Sequence, residues 1–368
     1  MEKLKFSDVF DDITRQGTKI QANQYLVCGK YQIIDQSQND IAGYTNQEEG
    51  LFTDIPAIVF GDHTRVIKYV DKPCFLGADG VKLLRAKDSK ANYKYLYYVL
   101  TNAKIPDTGY NRHFKWLKEI NIPLYDEETQ NNIVKELEKV TNLIDKRKKQ
   151  LEKLDELVKY RFVEMFGTLN ANEKGFDVID IEKLCTLIKD GTHQTPTYTE
   201  DKQNGFKFLS SKDVMTQKIC WEDIKYIPAE LHEKLYATIQ PKRNDILMSK
   251  NGVNYGVAAV NDTDELFDIY VSLALLRPKT DRVNPVYLRC AINNPDTKRQ
   301  FDSSIKGIGV PNLHLGEIKK TKVLLPPISK QNEFTDFVEQ VDKSKFEIKQ
   351  SLEKLELLKK SLMQKYFG

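Results

Sequence analysis

The chain has 368 residues, of which 40% are hydrophobic and 30% charged, with a net charge of +3. That length predicts two or three domains, and the charged fraction suits long solvated helices. No apolar run approaches the ~18 residues of a membrane span, and the first residues, MEKLKFSDVFDD, hold no apolar secretion segment. Five scattered cysteines (Cys28, Cys74, Cys185, Cys220, Cys290) form no CxxC pair, which argues against a zinc site and for a reducing cytoplasm.

The first globular part spans 1–119 and mixes short strands with little helix. Its GKYQIIDQSQ segment (29–38) runs from a glycine through an apolar pair into a polar loop. AIVFGDHTRVIKYV (57–70) predicts strand, turn, strand about Gly61-Asp62, presenting His63, Thr64, Arg65 and Lys68. A further apolar run, GVKLLRA, follows at 80–86. Residues 120–167 predict a long helix. Leu137, Ile144, Leu151, Val158 and Met165 form one apolar row at seven-residue spacing, beside the mixed row Ile133, Val140, Arg147, Leu154 and Arg161. Acidic residues in LYDEETQ suit a first turn, and Gly167 suits a stop.

The second globular part spans 168–320 and repeats these features loosely. KDGTHQTPTY (189–198) reads as a loop presenting His193, Gln194, Thr195 and Tyr198. GFKFLSSKDV (205–214) resembles residues 29–38 and contains Lys212. DILMSKNGVNYGVAAV (245–260) has the strand–turn–strand layout about Asn251-Gly252, presenting Ser249, Lys250, Asn251, Asn254 and Tyr255. YVSLALLRP (270–278) is its following apolar run, and GIGVPNLH (307–314) reads as a glycine-shaped loop. Residues 321–368 predict the second long helix. Its apolar row is Phe334, Val341, Ile348, Leu355 and Leu362, and PPISKQ supports a helix start within this segment, since Pro326-Pro327 cannot lie in a helix interior.

Sliding the chain by 201 residues aligns the two halves. His113 falls on His314, Lys118 on Lys319, Gln130 on Gln331, Asn131 on Asn332 and Val140 on Val341. LEKL at 151–154 falls on LEKL at 352–355, and Phe166-Gly167 on Phe367-Gly368, with no gap over 55 residues. Such a repeat is one structural unit made twice. The predicted fold is α/β (α+β), a pseudo-two-fold tandem repeat whose two heads are separated by two long antiparallel coiled-coil helices. Helices of roughly 36 residues would be about 54 Å long, a rod holding the heads apart. His113 and His314, at the foot of each helix, are expected to pack or cap.

Arg, Lys, Asn, Gln, Ser and Thr on paired turns are the residue types that contact phosphates and base edges. Catalytic signatures are missing. No G-x-x-x-x-G-K-[ST] loop, glycine-rich fingerprint after a strand, Asn/Asp-Pro-Pro-aromatic run or H-E-x-x-H pair occurs.

KYRFVEMFG, KFLSSKDV, GVPNLHLGEIKKTKVLLPP and the layout of two heads and two helices resemble the specificity subunit of type I restriction–modification systems. The resemblance covers nearly the whole chain and is clearest in the second half. In the first half GYNRHFKWLKEINIPLY (109–125) stands at the equivalent place without the Pro-Asn-Leu. The resemblance implies two target-recognition domains, each reading one half of a bipartite double-stranded DNA site. The helices would set the gap and dock two modification (methyltransferase) subunits, with restriction (motor-nuclease) subunits joining them. It implies no cofactor and no catalytic or metal residue in this chain. S-adenosylmethionine belongs to the modification partner, and ATP and Mg to the restriction partner, all in a bacterial or archaeal cytoplasm. Direct readout is expected from Arg65 and Lys68 in the first head and from Lys212 and Lys250 in the second. Two other readings stay open: a coiled-coil scaffold without DNA recognition, which leaves the paired basic turns unexplained, and a stand-alone DNA enzyme, which lacks a core.

Overall fold

The computed structural model describes residues 2–77, 79–305 and 311–368. The chain forms two compact units, Met1–Lys149 with Lys349–Gly368, and Gln150–Ile348. Each long helix therefore contributes one stretch to each unit.

In the first unit the chain runs through β1 (Glu2–Lys5), the single turn α1 (Phe6–Val9), β2 (Phe10–Asp12), β3 (Lys19–Ile20), β4 (Tyr31–Ile34) and β5 (Gly43–Thr45). It continues through β6 (Ala57–Gly61), β7 (Ile67–Val70), β8 (Cys74–Gly77), β9 (Val81–Ala86), α2 (Tyr93–Thr101), α3 (Phe114–Leu117), β10 (Asn121–Leu124) and α4 (Glu127–Phe166). Two four-stranded sheets result, ordered β2-β9-β6-β7 and β3-β8-β4-β5. The five residues of β6, AIVFG, are all buried, as an uninterrupted apolar run in a central strand should be. One face of that sheet packs Ile58, Phe60 and Leu84 against Tyr95 and Val99 of α2 and Leu137 of α4. The other packs Val59, Val70 and Leu83 with Leu76 of the second sheet.

The second unit repeats the plan. It contains β11 (Asp177–Asp180), α5 (Ile181–Leu184), β12 (Cys185–Asp190), β13 (Phe206–Leu209), β14 (Lys225–Ile227), α6 (Ala229–Tyr236) and β15 (Ile246–Ser249). There follow β16 (Ala258–Val260), β17 (Phe267–Ile269), β18 (Leu273–Pro278), α7 (Pro285–Ile292), α8 (Pro295–Ser304), α9 (Leu315–Lys320), β19 (Lys322–Leu325) and α10 (Ile328–Phe367). Its main sheet is ordered β12-β18-β15-β16, matching β2-β9-β6-β7 place for place, and β14-β13-β17 matches β5-β4-β8.

The offset between equivalent elements is 175 residues at β1 and β11, 192 at α2 and α7, and 201 at α4 and α10. The second head thus carries extra chain, including α6 and α8, while the segment from the foot of each helix to its end kept its length. The spacer segments differ from the expected bounds. Residues 121–124 and 322–325 are strands, paired antiparallel with β1 and β11, and the helices start at Glu127 and Ile328. Pro123 lies in β10, and proline is excluded from a helix interior. Asp126 then caps α4, accepting from the Thr129 N–H at 2.9 Å. Each helix is 40 residues long, four more than estimated. Gly167 ends α4 at φ +75°, a conformation glycine adopts without penalty, and its N–H donates to Val163 O at 2.7 Å.

Within each unit the two helix stretches run antiparallel. In the first, Tyr366 of α10 donates to Glu136 at 2.5 Å, and Lys148 pairs with Glu356. In the second, Arg161 reaches Glu333, Lys345 pairs with Asp155, and the rings of Phe162 and Phe334 meet at 5.4 Å. Leu137, Ile144, Phe334 and Val341 of the expected rows are buried, and Leu151, Val158, Ile348, Leu355 and Leu362 are half-buried. Among the described residues no helix is long and apolar enough to cross a membrane, and no group of three His, Cys, Asp or Glu is placed to hold a metal ion.

Candidate nucleic-acid interface

In the first head, the chain between β6 and β7 turns through residues 62–66, closed by Gly61 N–H to Val66 O at 2.8 Å and Arg65 N–H to Gly61 O at 2.7 Å. The reversal falls on Arg65, at φ +62°, rather than on Gly61-Asp62. Asp62 is instead a buried anchor. Its carbonyl oxygen accepts from His113 N–H at 2.7 Å, and its Oδ1 accepts from Phe114 N–H at 2.7 Å. The turn is thereby pinned to the foot of α3. Gln36 supports it from the loop after β4, accepting from His63 N–H at 3.1 Å through its side chain and from Thr64 Oγ1 at 2.6 Å through its carbonyl.

The four residues expected to face DNA here divide. Thr64 is exposed, and His63 is half-buried beneath the ring of Tyr110. Arg65 holds Asp107 at 2.7 Å, and this guanidinium, after the Gly109 N–H, keeps the Asp107 carboxyl below the usual range. Lys68 does not face solvent: it is 5% exposed. Strict alternation along β7 would put Lys68 opposite Ile67 and Tyr69, and it does, but α2 covers the Ile67 face while the loop after β4 covers the other. The ammonium donates to Asn39 O at 2.5 Å and lies 3.6 Å from Asp35. Burial depresses its pKa, opposed by Asp35. Lys68 is a structural tie, and the turn does not present it to solvent as its place beside the turn suggested.

In the second head the connection between β15 and β16 is an eight-residue loop, 250–257, longer than the two-residue turn that Asn251-Gly252 predicted. Gly252 still supplies a left-handed residue at φ +86°. The loop is pinned like its counterpart, with Leu313 N–H donating to Lys250 O at 2.9 Å and Gly252 N–H to Pro311 O at 3.1 Å. The GIGV part of GIGVPNLH lies outside the described residues.

Lys250 is 4% exposed and pairs with Asp190 at the end of β12, which also lies 3.6 Å from His193. Its partner is 60 residues away in sequence, so nothing local announced the pairing. Tyr255 is also interior. Its hydroxyl donates to Asp302 of α8 at 2.5 Å, and the Lys298 ammonium sits 3.5 Å from its ring centroid. Both were expected at the DNA face; both instead brace the loop from within. Exposed at its tip are Asn254 and Val253, the latter 88% accessible. Asn251 bridges to Asn312, half-buried. His193, Gln194 and Thr195 are exposed on the loop after β12. Lys212 is exposed but engaged, donating to Asp223 O at 2.8 Å and pairing with Asp213 at 3.0 Å. Asp213 in turn accepts from Ser210 N–H at 2.7 Å, fixing this loop's start.

The histidines at the helix feet are not equivalent. His113 is fully buried against Trp116, and its Nδ1 lies 3.0 Å from Asp62 O. His314 is exposed and occupies the cap position of α9 without a side-chain cap bond. The loop at 107–112 was legible only as the counterpart of the segment before α9, with no contact residue singled out in it. It places Tyr110, Asn111 and Arg112 at the surface beside the turn. The signal available was position, since Tyr-Asn-Arg-His precedes the foot of α3 as Val-Pro-Asn-Leu-His precedes α9.

Residues 1–156 and 173–359 each match the family described as the type I restriction modification DNA specificity domain. The type I restriction enzyme MjaVIII specificity subunit of Methanocaldococcus jannaschii is 25% identical over 315 residues, covering 78% of this chain and 74% of that protein. The crystal structure of the type I restriction–modification system S subunit from M. genitalium superimposes with a TM-score of 0.59 at 17% identity, covering all of this chain and 96% of the other. A chain from a study of assembly and conformational transition of the type I R-M system gives 0.54 at 16% identity, covering all of this chain and 97% of the other. Two family matches, one on each repeat of one tandem fold, make this chain a member of the type I restriction–modification DNA specificity family.

Proposed function

We propose that the chain gives a type I methyltransferase its DNA sequence. Each head, 1–119 and 168–320, reads one half of a bipartite double-stranded site, and the helices set the gap and dock two modification subunits. The supporting observation is the repeated device: in both heads a hairpin connection of the main sheet is pinned by backbone bonds to the segment entering a short helix, α3 or α9, which a strand joins to a 40-residue helix. A surface so tied is held to the chain that leads into its long helix, as two readings at a set separation require. Exposed apolar side chains on α4, Leu157, Tyr160 and Val163, support docking of a partner there. Chemistry belongs to the partners in this reading, S-adenosylmethionine to the modification subunits and ATP with Mg to any motor-nuclease subunits, in a bacterial or archaeal cytoplasm.

Exchange of residues 168–320 for the corresponding head of another family member tests this reading. Co-purified with the modification subunit, the chimaera should methylate a motif with one half-site replaced and the other kept. An unchanged motif, or loss of both halves from a folded chimaera, would count against independent heads.

The buried Lys250 yields a narrower expectation. Lys250→Ala should impair the half-site of the second head while sparing the first. It should also lower stability by about 2 kcal/mol, between the ranges for exposed and buried pairs, because Asp190 loses its cation. Thermal unfolding separates the cases, since a residue touching bases alone would change the motif without changing the melting temperature.

A further inference from the structure

Tyr110 is 86% exposed yet held in place. Its ring lies on His63 with centroids 4.6 Å apart and planes 8° from parallel. His63 is itself fixed, its N–H donating to Gln36 and its Nδ1 lying 3.2 Å from Asn111 O. The loop is closed by its own bonds. Asp107 accepts from Gly109 N–H at 3.1 Å and from Arg65 at 2.7 Å, and Asn111 Nδ2 lies 3.3 Å from Thr108 Oγ1. Among the described residues no core cluster of the unit uses the ring. An aromatic group held rigid in water has already lost its rotamer freedom, so a partner gains the contact at little ordering cost.

Building on the two-head reading, we propose that Tyr110 is a specificity residue of the first head, packing its ring against the 5-methyl group of a thymine. The methyl of thymine is the apolar group that base edges offer in the major groove, and a phenol lacks the forked donors that suit guanine or the amide that suits adenine. His63 is a positioning residue, acting through the stack. Arg112, exposed two residues on, is placed for phosphate.

The test uses the full chain co-purified with its modification subunit and the bipartite site the wild type methylates, the first head's half-site being assigned by head exchange. Each thymine of that half-site is replaced in turn by deoxyuridine, which lacks the methyl. One replacement should slow wild-type methylation about fourfold, the factor that one buried methyl group carries. Tyr110→Ala should be indifferent to that replacement and accept other bases there, with the second half-site unchanged. Tyr110→Phe should behave as wild type. Tyr110 is exposed, so thermal unfolding of both variants should match the wild type. The proposal is overturned if the half-site holds no thymine, if the wild type ignores every replacement, or if Tyr110→Ala keeps the sensitivity. A wild-type complex that methylates no bipartite site would overturn the two-head reading first, a distinct failure.

Discussion

Phe166→Ala is expected to destabilise the second unit by about 3–5 kcal/mol, the range for truncating a buried phenylalanine. Phe166 is fully buried, with ring centroids 5.0 Å from Phe162, 4.9 Å from Tyr287, 5.5 Å from Phe334 and 6.4 Å from Phe176. These rings come from α4, α7, α10 and the chain after Gly167, so the vacated volume is walled on several sides and cannot collapse cheaply. The repeat-equivalent Phe367 is half-buried, 5.7 Å from Tyr95 and 6.3 Å from Tyr366. Phe367→Ala should cost about 1–2 kcal/mol, as partial burial implies. Calorimetry should resolve the difference. The transition of the second unit should fall by on the order of 10 °C in the Phe166 variant, and that of the first unit by a few degrees in the Phe367 variant. Equal losses would contradict the asymmetric packing.

Adding one heptad to both long helices, after Gln150 and after the equivalent Ser351, should change the gap between half-sites without changing either half-site. Seven residues extend a helix by about 10.5 Å, close to the rise of three base pairs at about 3.4 Å each. A whole heptad keeps the apolar rows in line. Both helices must change together, because they pair antiparallel within each unit: Lys148 with Glu356 in the first, Asp155 with Lys345 in the second. Seven residues in α4 alone would break one register or the other. Methylation at the original gap should fall by at least tenfold and reappear at sites with a longer one. Undiminished methylation at the original gap would mean that the helices do not set the spacing.

The helical half of this architecture was legible in the sequence because its rules are local and periodic. The seven-residue rows, Pro326-Pro327, Gly167 and the ungapped offset of 201 located two long helices and their equivalence. The strands at 121–124 and 322–325 were missed because their pairing partners are at the other end of each unit's chain, in β1 and β11. The candidate interface was legible by place more than by residue. The hairpins were found, but Lys68, Lys250 and Tyr255 turn inward. Each is held by a group distant in sequence, Asp35, Asp190 and Asp302. A basic residue beside a turn signal reads as exposed until the covering loop is known. Tyr110 was not singled out for the complementary reason: its placement depends on a stack with His63, 47 positions earlier.

Methylome sequencing distinguishes two heads reading two half-sites at a set distance from every other reading of this chain. A host expressing this chain with its modification subunit is compared with a host expressing the modification subunit alone. One bipartite motif with adenine methylation is expected in the first host and not in the second. No such motif, from a stable complex of the two proteins, would contradict it and leave a coiled-coil scaffold as the reading of this fold.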